Sequence, residues 1–188
     1  MNNYDYYLII DFEATCCNHG TVPKQEMEII EFGAVMLRRS TMHIVDEFQS
    51  FIRPVRNPQL TPFCTELTTI TQQDVDTAPD FATVIALLKQ WLKPYSNYVF
   101  CSWGDYDLHQ LALDCNYHHV AYPIAATHVN VKKLFSQAQG YNKKFGLGQA
   151  VHMMGLKFSG TAHRGIDDAR NIAALMPFII GNDTGTAN

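Results

Sequence analysis

Apolar positions along this chain change period, from the alternation of strands to the three-to-four spacing of helices, and that change predicts its elements. Residues 6–12 (YYLIIDF) are β-branched and aromatic with apolar residues on both faces, which predicts a buried strand at the centre of a sheet. Residues 28–37 and 43–52 predict two more strands, and the polar Arg38-Arg39-Ser40-Thr41 between them suits an antiparallel hairpin. Pro54, Pro58 and Pro62 then punctuate a loop, and Thr71-Gln72-Gln73-Asp74 has the form of a cap ahead of a short helical turn. Phe81, Val84, Ile85, Leu88 and Leu92 recur at helical spacing within residues 79–92, with Pro79 near the first turn and Pro94 just past the end. Residues 98–103 predict a fourth strand. Gly104 turns the chain into a helix over 106–115, with Leu108, Leu111, Ala112 and Cys115 on one face. Further helices are predicted at 131–139, 147–154 and 166–180, the last with a stripe of Ile166, Ala169, Ala173, Met176 and Ile180. Strands first, then helices on both sides of a later strand, give an α/β domain with a mixed sheet. No repeat or linker interrupts it, so residues 1–181 read as one domain and the small, polar stretch 182–188 as a frayed tail.

Composition narrows the class. With 188 residues, 47% hydrophobic and 17% charged, the chain has the make-up of a soluble globular protein and excludes disorder as its main state. Lys plus Arg is 14 against 18 Asp plus Glu, a net charge of −4, so a protein that coats nucleic acid is excluded and any such contact must be local. The five cysteines are an odd number without a CxxC pair, which points to reduced thiols rather than a disulfide framework or a zinc site. Met1-Asn2-Asn3-Tyr4-Asp5 lacks the basic start of a signal peptide, and no apolar run approaches the ~20 residues of a membrane span. These features predict a cytoplasmic protein without membrane contact.

The acids carry the candidate chemistry. Asp11 and Glu13 sit two apart at the end of the first strand, so alternation sends both side chains to one face. Like charges that close disfavour joint ionisation unless a cation offsets them. Strand ends also simply meet water, so one pair settles little. Asp107 opens the helix after the fourth strand and Asp168 lies in the first turn of the last helix, where the helix dipole favours an anion in any case. In an α/β sheet such termini gather at one edge, where four acids can hold two metals about 3.5–4 Å apart and clamp a phosphate. His163, five residues before Asp168 and flanked by Gly160 and Gly165, is a candidate for taking a proton from an attacking water.

Asp11-Phe12-Glu13-Ala14-Thr15-Cys16, Trp103-Gly104-Asp105-Tyr106-Asp107 and His163-Arg164-Gly165-Ile166-Asp167-Asp168 resemble, in order, the three motifs of the DEDDh branch of the 3′-to-5′ exonucleases. With Phe63-Cys64-Thr65-Glu66-Leu67 and Ile70-Thr71-Gln72, the pattern is similar to the subgroup of RNA-interference and histone-mRNA 3′-end exonucleases and their bacterial KapD-type relatives. The resemblance covers about residues 5–180. It implies an RNase H-like fold with a mixed five-stranded sheet flanked by helices on both sides, two Mg2+ or Mn2+ ions, and release of nucleoside 5′-monophosphates from a 3′ end. By position it makes Asp11, Glu13 and Asp168 ligands of the first metal, Asp11 and Asp107 ligands of the second, and His163 the general base. Asp105 and Asp167 fall outside the ligand positions and read as helix N-terminal acids near the site.

The resemblance also sets Ala14, Thr15 and Leu67 against the terminal nucleotide. Trp103 is a candidate for stacking on a base, with a place in the core as its alternative. Lysine and arginine pairs such as Lys132-Lys133 and Lys143-Lys144 are candidates for steering a short strand, and Arg164, beside the base, is the strongest of them. Thr69 stands where many family members have glycine. The leading expectation is a metal-dependent exonuclease on single-stranded 3′ ends, RNA over DNA. The alternatives are a separately encoded DNA proofreading exonuclease and a non-catalytic nucleic-acid-binding module on the same fold.

Overall fold

The structure, a computed structural model, describes residues 1 and 3–181, so the expected frayed tail lies outside the described residues. The chain runs β1 (Tyr6–Ala14), a 3-10 turn (Lys24–Glu26), β2 (Ile29–Arg38), β3 (His43–Phe51), α1 (Pro62–Thr68), α2 (Gln72–Asp76) and α3 (Phe81–Leu92). It continues through β4 (Tyr98–Ser102), α4 (Tyr106–Tyr117), β5 (His128–Asn130), α5 (Val131–Ala138), α6 (Leu147–Met153) and α7 (Gly165–Ile180). The strands form one mixed sheet in the order β3-β2-β1-β4-β5, an RNase H-like arrangement with β1 at its centre.

That central place explains why the first strand has no polar face. Tyr7 and Ile9 pack with Val35, Val99 and the apolar faces of α5, α6 and α7, while Leu8, Ile10 and Phe12 pack with Phe32, Phe100 and α3 on the other side. β1 pairs antiparallel with β2 and parallel with β4, and β4 pairs parallel with β5. The carboxyl ends of β1, β4 and β5 therefore share one edge, where α/β sheets place their chemistry.

Two elements differ from the sequence expectation. Residues 62–68, expected as loop because of their prolines, form α1: Pro62 occupies the first turn, where its missing N–H is no loss, and the Thr61 side chain accepts the Cys64 amide at 3.0 Å. β5 is three residues long, too short for alternation to mark it. The cap at Thr71 is confirmed, with Thr71 and Asp74 closing a reciprocal capping box on α2. α1 ends at Thr69 in the left-handed region, φ 61°. A β-branched residue is disfavoured there, where glycine would be free of strain, which gives a physical reason for the glycine that the family resemblance led one to expect. Among the described residues no helix is long and apolar enough to cross a membrane.

Candidate active site

Alternation along β1 delivers Asp11 and Glu13 to one face, and the first turn of α7 brings Asp168 to them, with ligand oxygens of all three within 4.8 Å of one another. This approach needs backbone against backbone. A Cβ on Gly33 would lie 2.1 Å from the Gly165 carbonyl carbon, and one on Gly165 would lie 2.7 Å from the Asp11 carbonyl oxygen. The two glycines let the start of α7 rest directly on β1 and β2. Asp107, from the first turn of α4, accepts the Phe12 amide at 3.0 Å, the residue between the two strand acids. His163 is exposed, held at φ 62°, and the next amide, of Arg164, donates to Asp168 Oδ2 at 3.0 Å.

Burial and crowding raise every one of these acids. Burial first, and then Asp107, Asp168 and Glu13 around it, hold the Asp11 carboxyl well above the usual carboxylate range. Burial, with Asp168 and Glu31 nearby, pushes Glu13 up to about 9. Asp107 rises to about 7 through burial, against the Phe12 amide, and Asp168 rises to about 6 through burial, against the Arg164 amide. No donor reaches the Asp11 or Glu13 side chain among the described residues. An all-oxygen set that repels itself, and in which Asp11 and Glu13 have no fixed donor, has the chemistry of a divalent, hard-cation site.

Glu31 is a member of this site that the sequence did not single out. It lies across the ladder from Glu13, is fully buried, and accepts from Arg164 Nε at 3.0 Å, Arg164 Nη2 at 3.3 Å, the Gly165 amide at 3.1 Å and Gln49 Nε2 at 2.6 Å. The Arg164 guanidinium, expected to meet a substrate, is thus tied to Glu31 and lies over the Phe51 ring at 5.2 Å. It anchors the turn that carries His163. The only signal in the sequence is the antiparallel β1–β2 register that sets Glu31 opposite Glu13.

The other expected contacts divide. Ala14 and Thr15 are buried at the end of β1, where Thr15 Oγ1 accepts the Glu28 amide at 3.0 Å. α1, which carries the half-buried Leu67, is held to the same strand end through Cys64 Sγ to the Ala14 carbonyl at 3.6 Å and Thr61 Oγ1 to the Cys16 carbonyl at 2.6 Å. The helix that carries Leu67 is thus held to the strand end that carries Ala14 and Thr15. Trp103 instead joins the core, its indole donating to the Phe145 carbonyl at 3.1 Å and its ring 5.7 Å from Phe135. Asp105 accepts from Asn130 Nδ2 at 2.9 Å, and Asp167 from the Thr161 amide and Arg170 Nη1, both at 2.9 Å, so neither joins the open cluster.

A second buried acidic group braces the strand end from behind. Glu28 accepts the amides of Val55, Arg56 and Asn57 at 2.9, 2.7 and 2.9 Å. Asp114 accepts the Ile29 amide at 2.7 Å and Arg56 Nη2 at 3.0 Å. Ile29 faces Ala14 across the register shift that follows Glu13, so Asp114 fixes β2 where the ladder is irregular.

Comparison with known proteins points the same way. The family model described as Exonuclease matches residues 8–176. ERI1 exoribonuclease 3 of Mus musculus is 39% identical over 182 residues, covering 92% of this chain and 53% of its own length. The 3′-5′ exoribonuclease 1 of Homo sapiens is 36% identical over 180 residues, covering 92% and 51%. The chain thus spans about half the length of these curated relatives. Among solved structures, the nuclease domain of 3′hExo, a DEDDh family member bound to rAMP, matches with a TM-score of 0.84 at 35% identity, over 92% of this chain and 90% of that one.

Proposed function

The chain belongs to the exonuclease family, in its DEDDh branch, and from that premise we propose that it is a 3′-to-5′ exonuclease releasing nucleoside 5′-monophosphates from single-stranded RNA ends, with DNA the weaker substrate. The observation that carries this reading is the convergence of Asp11, Glu13 and Asp168 within 4.8 Å, the first two without donors among the described residues, beside Asp107. The rAMP bound by the solved relative and the exoribonuclease relatives support RNA over DNA.

Asp11, Glu13 and Asp168 would hold one Mg2+ or Mn2+ ion, and Asp11 with Asp107 a second. Ions held there would offset the carboxylates' charge, lower the pKa of a water and stabilise the charge that develops on the attacking and leaving oxygens. The chain does the rest. His163, exposed beside Asp168, takes the proton of the attacking water, and Glu31 with Arg164 keeps its turn against the sheet. Ala14, Thr15 and Leu67 form the wall on which the terminal nucleotide rests, so that the scissile bond stops over the acids. Residues 1–181 act as one catalytic unit in this reading, and the five free cysteines favour a reducing, cytoplasmic setting.

The test uses 5′-labelled single-stranded RNA and DNA of equal sequence in Mn2+, Mg2+ or EDTA, with Asp11→Ala as control. Shortening from the 3′ end that requires metal and Asp11, and is faster on RNA, is the expected result. Intact substrate in every metal condition would overturn the proposal in favour of a binding module.

A further inference from the structure

Resting on the exonuclease reading, we propose that the cleft between β5 and α5 is a second nucleic-acid subsite, in which Lys133 and Lys144 grip backbone phosphates of the strand that remains after cleavage. The cleft encloses about 550 Å³ and is lined by Asp105, His128, Asn130, Lys133, Gln137 and Lys144 among others. Lys133 and Lys144 come from two separate lysine pairs, on α5 and on the loop after it, and the fold brings one member of each pair to this space. Lys143, by contrast, lies over the Phe145 ring at 5.1 Å.

Position gives the cleft its occupant. β1, β4 and β5 run parallel, with Ile9 beside Cys101 and Ser102 beside Asn130, so the end of β5 lies on the same sheet edge as the acids. Neighbouring strands are about 4.8 Å apart, which sets the cleft roughly 10 Å along that edge from β1. A single strand crosses that distance in a nucleotide or two. The wall proposed from Ala14, Thr15 and Leu67 belongs to the end of β1 and to α1, whose Cys64 packs with Ile30 of β2, the strand on the other side of β1 from β4 and β5. A 3′ nucleotide held at that wall sends the retained strand the other way, towards β5.

The chemistry matches a phosphodiester. Both lysines are exposed and unpaired in any salt bridge among the described residues. The acid in the cleft, Asp105, is engaged by Asn130 Nδ2 at 2.9 Å, and His128 Nε2 lies 2.8 Å from Ser102 Oγ. In a chain of net charge −4, two unpaired cations facing one cavity beside the acidic site are a local anion-binding feature.

The experiment compares Lys133→Gln/Lys144→Gln with the control Lys132→Gln/Lys143→Gln on RNAs of two, four and eight nucleotides. The cleft pair is expected to lose activity progressively with length, by about tenfold in kcat/KM on the longest RNA and mainly through KM, while the control pair follows the wild type. The dependence of octanucleotide affinity on salt, read by anisotropy in EDTA, should fall in slope by about 1.4 for two lost contacts on a single strand. A loss equal at all lengths, or equal in the control pair, would overturn the proposal. Should the wild type hydrolyse nothing, the exonuclease reading fails by itself, and an unchanged salt slope in the cleft pair then overturns the subsite independently.

Discussion

Glu28 and Asp114 are deeply buried carboxylates, at 2% and 1% exposure, and backbone amides and Arg56 meet them with hydrogen bonds. Asp11 and Glu13, a few residues away along the same sheet, receive none among the described residues. Burial raises Asp114 only to about 6, because the Ile29 amide and Arg56 pull against it, whereas Glu13, with only acids for company, reaches about 9. One cluster is neutralised by the chain and braces the fold. The other is left for something outside the chain to neutralise, which is what a cation site requires of a protein that must also fold without its cation.

The comparison breaks most sharply at Asp11. Asp11→Asn should lower exonuclease rate by about a thousandfold, while the metal-free variant melts a few degrees higher, since about 1 kcal/mol of relieved repulsion moves Tm by roughly 2–4 °C at this size. Rate and melting temperature moving in opposite directions is the signature to measure. A lower metal-free Tm would mean that Asp11 has a structural partner. Arg56→Met probes the opposite cluster. It leaves Glu28 and Asp114 buried without their cation, and removing one partner of such a group costs about 3–5 kcal/mol. The expected readout is a large fall in Tm by calorimetry, with the metal concentration for half-maximal activity unchanged.

Proton linkage sharpens the contrast further. Glu13 binds a proton up to about 9 when folded but only to 4.5 ordinarily, so between these values the folded state holds more protons than the unfolded one. Stability of the metal-free protein therefore falls as pH rises through that window, and is fullest below it. Saturating Mg2+ replaces the protons and should flatten the slope, with its largest gain in Tm near pH 9. A metal-free Tm that rises over the same range would contradict the raised carboxyls.

How much of this could be read from the sequence depended on reach. Asp11 and Glu13 were legible because both lie on one strand with a period of two, and Asp168 because its helix has a clear apolar stripe. Glu31 was not, since its importance exists only once the β1–β2 register sets it against Glu13 and α7 lays Arg164 on it. Glu28, Arg56 and Asp114 come from three distant segments and look like ordinary surface charges until the fold joins them. α1 hid behind prolines that break a helix in its middle but start one at its first turn. At Thr69 the residue was visible in the sequence, while the left-handed backbone it must adopt was not.

The smallest expected effect concerns the acids that sit beside the ligands without joining them. Asp105 and Asp107 flank the start of α4, and Asp167 and Asp168 share the first turn of α7, so sequence and helix dipole treat each pair alike. Burial and partners separate them: Asp107 and Asp168 are buried and each accepts a backbone amide, from Phe12 and Arg164, whereas the exposed Asp105 is held by the Asn130 side chain and the half-buried Asp167 by the Thr161 amide and the Arg170 side chain. Asp105→Asn and Asp167→Asn should each change the rate by less than about fivefold and, where a hydrogen bond is lost, lower stability by about 1 kcal/mol. Asp107→Asn and Asp168→Asn should each cost at least a hundredfold, on the order of 3 kcal/mol in the barrier. The measurement is single-turnover cleavage at saturating metal for all four variants. If Asp105→Asn fell with the severe pair, exposure and a side-chain partner would not be what keeps an acid out of the metal site, and the contrast between the two kinds of carboxylate would lose its meaning here.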